Sequence, residues 1–122
     1  METDELIRRY DAGERDFTLL SLRRANLSKA DLEGANFSGT DLSEADLSEA
    51  NLSGAKLRRA DLRWADLSGA DLQGADLHKA NLSHANLIEA NVTDSQLARA
   101  AVLRGTVLPD GSVQTDQPPE WP

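Results

Sequence analysis

Acidic residues stand on a five-residue grid through most of this chain. Asp16, Asp31, Asp41, Asp46, Asp61, Asp66, Asp71 and Asp76 share it with Asn26, Asn36, Asn51, Asn81, Asn86 and Asn91. Paired carboxylates can work as general acid and base, but only where their surroundings hold their pKa values apart. Here the same residue recurs in the same setting with no partner of another kind. The spacing therefore supports a structural use, the capping of backbone groups beside turns. His78 and His84 are the sole histidines, and no third ligand converges on them as a zinc site requires. Ser43, Ser48 and Ser68 have no base placed to activate them, and serines that recur beside turns are ordinary. No glycine-rich phosphate loop occurs. The residues predict no catalytic group, no bound cofactor and no metal.

The elements that carry these residues are set by the period. Starting at Phe17 and counting in fives to Val107, all 19 positions are apolar, mostly leucine. Two places before each of them the residue is alanine in 14 of the 19, and one place before it is aspartate or asparagine in the same number, which gives the rule A-[D/N]-L-x-x. An α-helix cannot use this period. At about 100° per residue, successive leucines would spiral round the axis and leave no stripe to bury. A strand cannot use it either, because an odd period alternates faces. What remains is a coil that turns one corner per pentapeptide. The leucine and the preceding alanine then point inward, one large and one small, and fill a narrow tube without clashes.

The tandem A-D-L-S-E, A-N-L-S-G and A-D-L-Q-G units resemble the pentapeptide repeat family, and the resemblance covers residues 16 to about 108. It implies an all-β solenoid, a right-handed quadrilateral β-helix with four pentapeptides, roughly 20 residues, in each coil. The chain would hold about 4.75 coils and, at roughly 4.8 Å per coil, form a rod about 23 Å long. Domain boundaries follow: residues 1–15 an N-terminal capping helix, 16–108 the repeat solenoid, 109–122 a C-terminal cap and tail.

The ends carry their own signals. Thr3 is expected as the N-cap of a helix over residues 3–12, with Asp4 and Glu5 in its first turn and Gly13 stopping it. Leu6, Ile7 and Tyr10 share the face that would cover Phe17 and Leu22. Beyond the repeats, VLPDGSVQ has a Pro-Asp-Gly turn between two β-prone runs, which predicts a small capping hairpin. The closing TDQPPEWP is polar and proline-rich, which predicts a loose tail whose Trp121 is able to fold back onto an exposed edge.

Twenty residues per coil places charges on faces. The first face (15–19 and every 20 residues on) carries six basic and two acidic side chains, and the second (20–24 and on) four and three. The third face (25–29 and on) carries one and four, and the fourth (30–34 and on) none and four. The rod is therefore expected to be two-sided. Gly34, Gly54, Gly74 and Asp94 on the fourth face suit type II turns, whereas corners at Arg59, Trp64 and Lys79 are expected to use another turn, since large side chains resist positive φ. Thr40, alone in its polarity among the central alanine positions, needs a backbone partner if buried.

Composition narrows the function. Cysteine is absent, and the N-terminal segment lacks a basic region followed by an apolar run, so a cytoplasmic protein is expected. The formal charge of −8 argues against nucleic-acid binding, and no apolar stretch is long enough to span a membrane. The favoured reading is a non-enzymatic adaptor, monomer or weak dimer, that binds another protein where the first two faces meet. Arg58, Arg59, Arg63, Trp64, Lys79, His84 and Arg99 would supply an aromatic anchor among cations. The resemblance also implies an alternative, since known members of the family mimic DNA to protect type II topoisomerases. Against it, residues 16–109 hold 13 acids and 10 bases, so the rod itself is nearly neutral, and no C-terminal helix follows to join a dimer.

Overall fold

A five-residue period obliges the backbone to turn before each new leucine, and it does so at every regular repeat. The computed structural model describes residues 1–115, a stack of coils preceded by helix α1 (Thr3–Asp11) and interrupted once by helix α2 (Asp94–Leu97). Parallel bridges join residues 20 apart, from Asp16 with Asn36 to Asp71 with Asn91, so each coil is four pentapeptides. In a regular repeat the leucine N–H donates to the next coil, as Leu42 to the Asp61 carbonyl (2.8 Å). The N–H before it donates to the previous coil, as Asp61 to Thr40 (3.0 Å). The alanine N–H then closes a four-residue turn on the preceding leucine carbonyl, as Ala65 on Leu62 (3.1 Å).

The inward pairing of leucine and alanine holds. The leucines from Leu22 to Leu87 are fully buried, and so are the alanines from Ala35 onward that flank them. Phe17 and Phe37 stack in one column with centroids 5.8 Å apart. Thr40 is fully buried and donates its hydroxyl to the Phe17 carbonyl at 2.5 Å, the partner its polarity demands.

The corners differ from expectation. Gly34, Gly54 and Gly74 do have positive φ, but so do Arg59 (57°), Trp64 (63°) and Lys79 (60°), together with Leu19, Arg24, Lys29, Glu44, Glu49, His84 and Glu89. Every regular corner thus uses one turn. The reason lies outside the turn, because the N–H of this residue must reach the next coil: Trp64 donates to the Ser83 carbonyl at 3.1 Å. A different turn would aim that N–H elsewhere and break the ladder, so the left-handed conformation is held at a cost of roughly 1–2 kcal/mol per residue. Asp94, expected at such a corner, instead opens α2.

Helix α2 replaces the first-face repeat of the last coil. Its N-cap Thr93 accepts from Gln96 N–H, and Gln96 returns a bond to Thr93, a complete capping box. The Gln96 amide also donates to the Leu72 and Ala75 carbonyls (2.7 and 2.9 Å), at Ala75 replacing the backbone N–H that a regular repeat supplies. Just beyond, Ala101 donates to Ala80 while Val102 accepts from Leu82, so two residues face Asn81 and the register slips by one. Leu103 and Thr106 take the inward places expected of Val102 and of Gly105, and Val107 is only half-buried. Thr106 repeats the solution of Thr40, donating its hydroxyl to the Leu82 carbonyl at 2.7 Å.

Both ends are covered. Glu2, rather than Thr3, sits at the N-cap of α1, with no side-chain cap. The helix closes with a Schellman motif, Gly13 N–H to Tyr10 and Glu14 N–H to Arg9, with φ 101° at Gly13. Leu6 and Tyr10 join the buried cluster that holds Phe17 and Leu22, and Ile7 packs on its margin. The Tyr10 hydroxyl donates to the open Glu33 carbonyl (2.7 Å). At the other end Val113 pairs antiparallel with Val107 across the Pro109–Asp110–Gly111 turn, the expected hairpin. The loose tail and the fold-back of Trp121 fall in residues 116–122, outside the described residues.

Two substitutions test this arrangement. Ala65→Leu near the middle coil should cost about 3 kcal/mol by overpacking a tube with no spare volume, read as a lowered thermal midpoint. Gly54→Ala meets nothing within 4 Å, so it should cost only the backbone term, about 1 kcal/mol in denaturant unfolding.

Candidate partner-binding surface

Of the outward positions, the aspartate or asparagine serves the backbone. One side-chain oxygen accepts from the N–H two residues on, as Asp46 from Ser48 and Asn81 from Ser83, both at 3.0 Å. At Ser43, Ser48, Ser53 and Ser68 the hydroxyl adds a second bond to the same oxygen, as Ser68 to Asp66 at 2.6 Å. A single acceptor oxygen suffices, which is why asparagine and aspartate interchange. The recurring acids and serines are thereby placed in turn geometry.

Residues 20 apart stack in columns, and those columns decide how the charges pair. Side chains at the left-handed corner lean toward the C-terminal end of the rod. Leu19 lies over Gly39, Glu49 over Gly69, and the His84 ring over Gly105, where a Cβ would stand 2.3 Å from a ring atom. Arg24 and Arg23 pair with Glu44, and Lys29 with Glu49 at 3.7 Å. Trp64 stacks on His84 with ring centres 4.3 Å apart and planes 12° from parallel, leaving 62% of the indole exposed. Trp64 follows Glu44 in this column, but Glu44 turns to the arginines and the indole stacks on His84.

The seven residues expected to form one surface sort into three kinds. Arg63 holds Asp61 through two bonds (2.9 and 2.8 Å), and Arg58 holds Asp76, so both cations are locally neutralised. Trp64 and His84 form the aromatic stack. Arg59 and Lys79 succeed one another in the corner column of the first face, Arg99 follows them at the end of α2, and none of the three has an acidic partner within 4.0 Å among the described residues. Lys79 N–H donates to the Arg99 carbonyl at 2.9 Å, where a corner N–H regularly meets the residue before the next corner, as Arg59 meets His78, so Arg99 stands one place short of the corner at the end of α2. Sequence reasoning missed Leu19, 82% exposed at the head of this column, although a leucine at an outward corner position was a visible signal. A shallow cleft lined by Thr18, Leu19, Ser38, Gly39, Arg58 and Arg59 joins it to the cations.

The ion pairs set the local titration. The Arg63 guanidinium, hydrogen-bonded to Asp61, holds that carboxyl below its ordinary value, and Arg58 does the same for Asp76. Glu44 is lowered chiefly by Arg24. Each contributes stability that is present above the unfolded carboxylate value, about 3.9 for aspartate, and lost as pH falls through the lower folded value. Arg63→Gln should therefore move Asp61 back up toward the ordinary value in a carboxyl NMR titration. The melting temperatures of variant and wild type should converge at the acid end.

The family model described as pentapeptide repeats matches residues 21–59 and 55–94 in eight copies. Among solved structures, a pentapeptide repeat protein from the cyanobacterium Cyanothece 51142, Rfr23, shares 42% identity over 62% of this chain, with a TM-score of 0.62. The chain spans 52% of that protein's length. The pentapeptide repeat protein alr5209 from Nostoc PCC 7120 shares 48% identity over 88% of this chain and 75% of its own, with a TM-score of 0.59. Both relatives are right-handed β-helices. No curated protein matches the sequence.

Proposed function

The chain belongs to the pentapeptide repeat family, a family of structural and binding scaffolds, and from that premise we propose that it is a non-enzymatic adaptor that binds another protein. The observation that carries this reading is the junction of the first and second faces. There an exposed indole stacked on His84 stands beside the cations Arg58, Arg59, Arg63, Lys79 and Arg99 on a rigid sheet. Aromatic and arginine residues on a preorganised surface lose little entropy on binding and supply most interface energy. The leucine and alanine core supports the reading too, because it fills the tube and puts recognition on the outside. The surface is electropositive, so an acidic partner is favoured, as is a cytoplasmic monomer or weak dimer.

Affinity capture from native soluble lysate tests this, comparing wild type with a variant carrying Arg58→Glu, Arg59→Glu and Trp64→Ala. A partner held by the wild type and reduced about tenfold or more by the variant is expected. A topoisomerase subunit held equally by both would instead favour the acidic faces and the DNA-mimic reading.

A further inference from the structure

Charge pairing between coils is the rule on this rod, and one column breaks it. In the second and third faces, corner cations meet an acid in the next coil: Arg24 meets Glu44 and Lys29 meets Glu49. In the first face the corner column reads Leu19, Gly39, Arg59, Lys79, an apolar head followed by two cations, and Arg99 continues the row in the next coil one place before the corner, with no acid among the described residues to separate the three. Adjacent coils are roughly 4.8 Å apart, so like charges are set side by side where sheets usually oppose unlike ones. Lys56, elsewhere on the same face, adds a further exposed cation.

We propose that this column is a linear docking track for an extended acidic segment of a partner protein that runs along the rod axis. An apolar side chain of the segment sits on Leu19 beside Gly39, and its carboxylates lie on Arg59, Lys79 and Arg99. The occupant follows from charge complementarity and from the gradient along the column. Gly39 leaves the apolar head low, and Leu19 fills part of the space a corner side chain would take. Three cations over about two coil steps, roughly 10 Å, are spanned by about three residues of extended chain, whose same-face side chains repeat at about 6.6 Å, so two carboxylates of the segment are shared among the three cations. A peptide suits this short row better than a nucleic acid. A duplex would extend beyond it toward the fourth face, where Asp31, Glu33, Asp71 and Asp94 stand without a base. The track deepens the adaptor reading and rests on it.

The test is fluorescence anisotropy with a labelled peptide in which one leucine precedes a run of glutamates. Controls are the same peptide with glutamines and a short labelled DNA duplex. The glutamate peptide is expected to bind the wild type at least about tenfold more tightly than the glutamine peptide, with affinity falling as salt rises. Lys79→Gln with Arg99→Gln should lower that affinity about tenfold, while Lys29→Gln on the third face leaves it within about twofold. Equal binding of the two peptides, no loss in the double variant, or preferential binding of the duplex would overturn the track. The adaptor reading is judged separately, since a captured partner lost on Arg58, Arg59 and Trp64 replacement but kept by Lys79→Gln with Arg99→Gln would leave that reading standing without the track.

Discussion

Everything in this molecule depends on the hydrogen bonds between successive coils. A leucine N–H that reaches 19 residues forward, and an aspartate or asparagine N–H that reaches 21 back, together demand coils of 20 residues. No single coil has a hydrophobic core of its own. Leucine and alanine become buried only because the next coil covers them, so the register of the backbone and the burial of the core are one constraint. The slip at Ala101 and Val102 opposite Asn81 moves the inward role to Leu103 and Thr106. Thr106 then needs the same carbonyl partner that Thr40 needs, because a buried hydroxyl has no water to turn to.

The same constraint explains the strained corners. A left-handed residue with a large side chain is costly in isolation, yet here each one contributes an N–H that the ladder requires. The side chain cannot point inward, so it lies along the rod over the neighbouring corner. Surface chemistry is therefore organised by column. What stands 20 residues away decides whether an arginine is paired, an indole is stacked or a cation has only like charges beside it. Arg63 is held by Asp61 in its own repeat, whereas Arg59 is followed by Lys79. On such a scaffold, changing partners needs only new outward residues, because the inward ones are shared by all surfaces.

The ends follow from the open ladder. Terminal coils would expose apolar surface and unpaired backbone groups, and each end meets this differently. Helix α1 lays Leu6 and Tyr10 on the first coil and sends the tyrosine hydroxyl to a free carbonyl. At the far end the chain turns back on itself as a hairpin, and α2 offers the Gln96 amide to the Ala75 carbonyl, which has lost its backbone donor. The capping box of α2, Thr93 to Gln96, was legible in the sequence, but the repeat pattern running through it masked the signal.

The sequence by itself determined the coil. The period of five excludes helix and strand, and the alternation of large and small inward residues assigns the core. Asparagine and aspartate at one place identify the turn, Thr40 announces its need of a partner, and the Pro-Asp-Gly signal marks the hairpin. These are local or strictly periodic properties, so they survive without coordinates. Only the tertiary structure decided the rest. That Arg59, Trp64 and Lys79 adopt the turn of glycine, that Arg58 is neutralised while Arg59, Lys79 and Arg99 are not, and that Val102 yields to Leu103 all depend on what the next coil places alongside. Side-chain propensity describes a residue alone, and here a neighbour 20 residues distant in sequence and roughly 5 Å distant in space outweighs it.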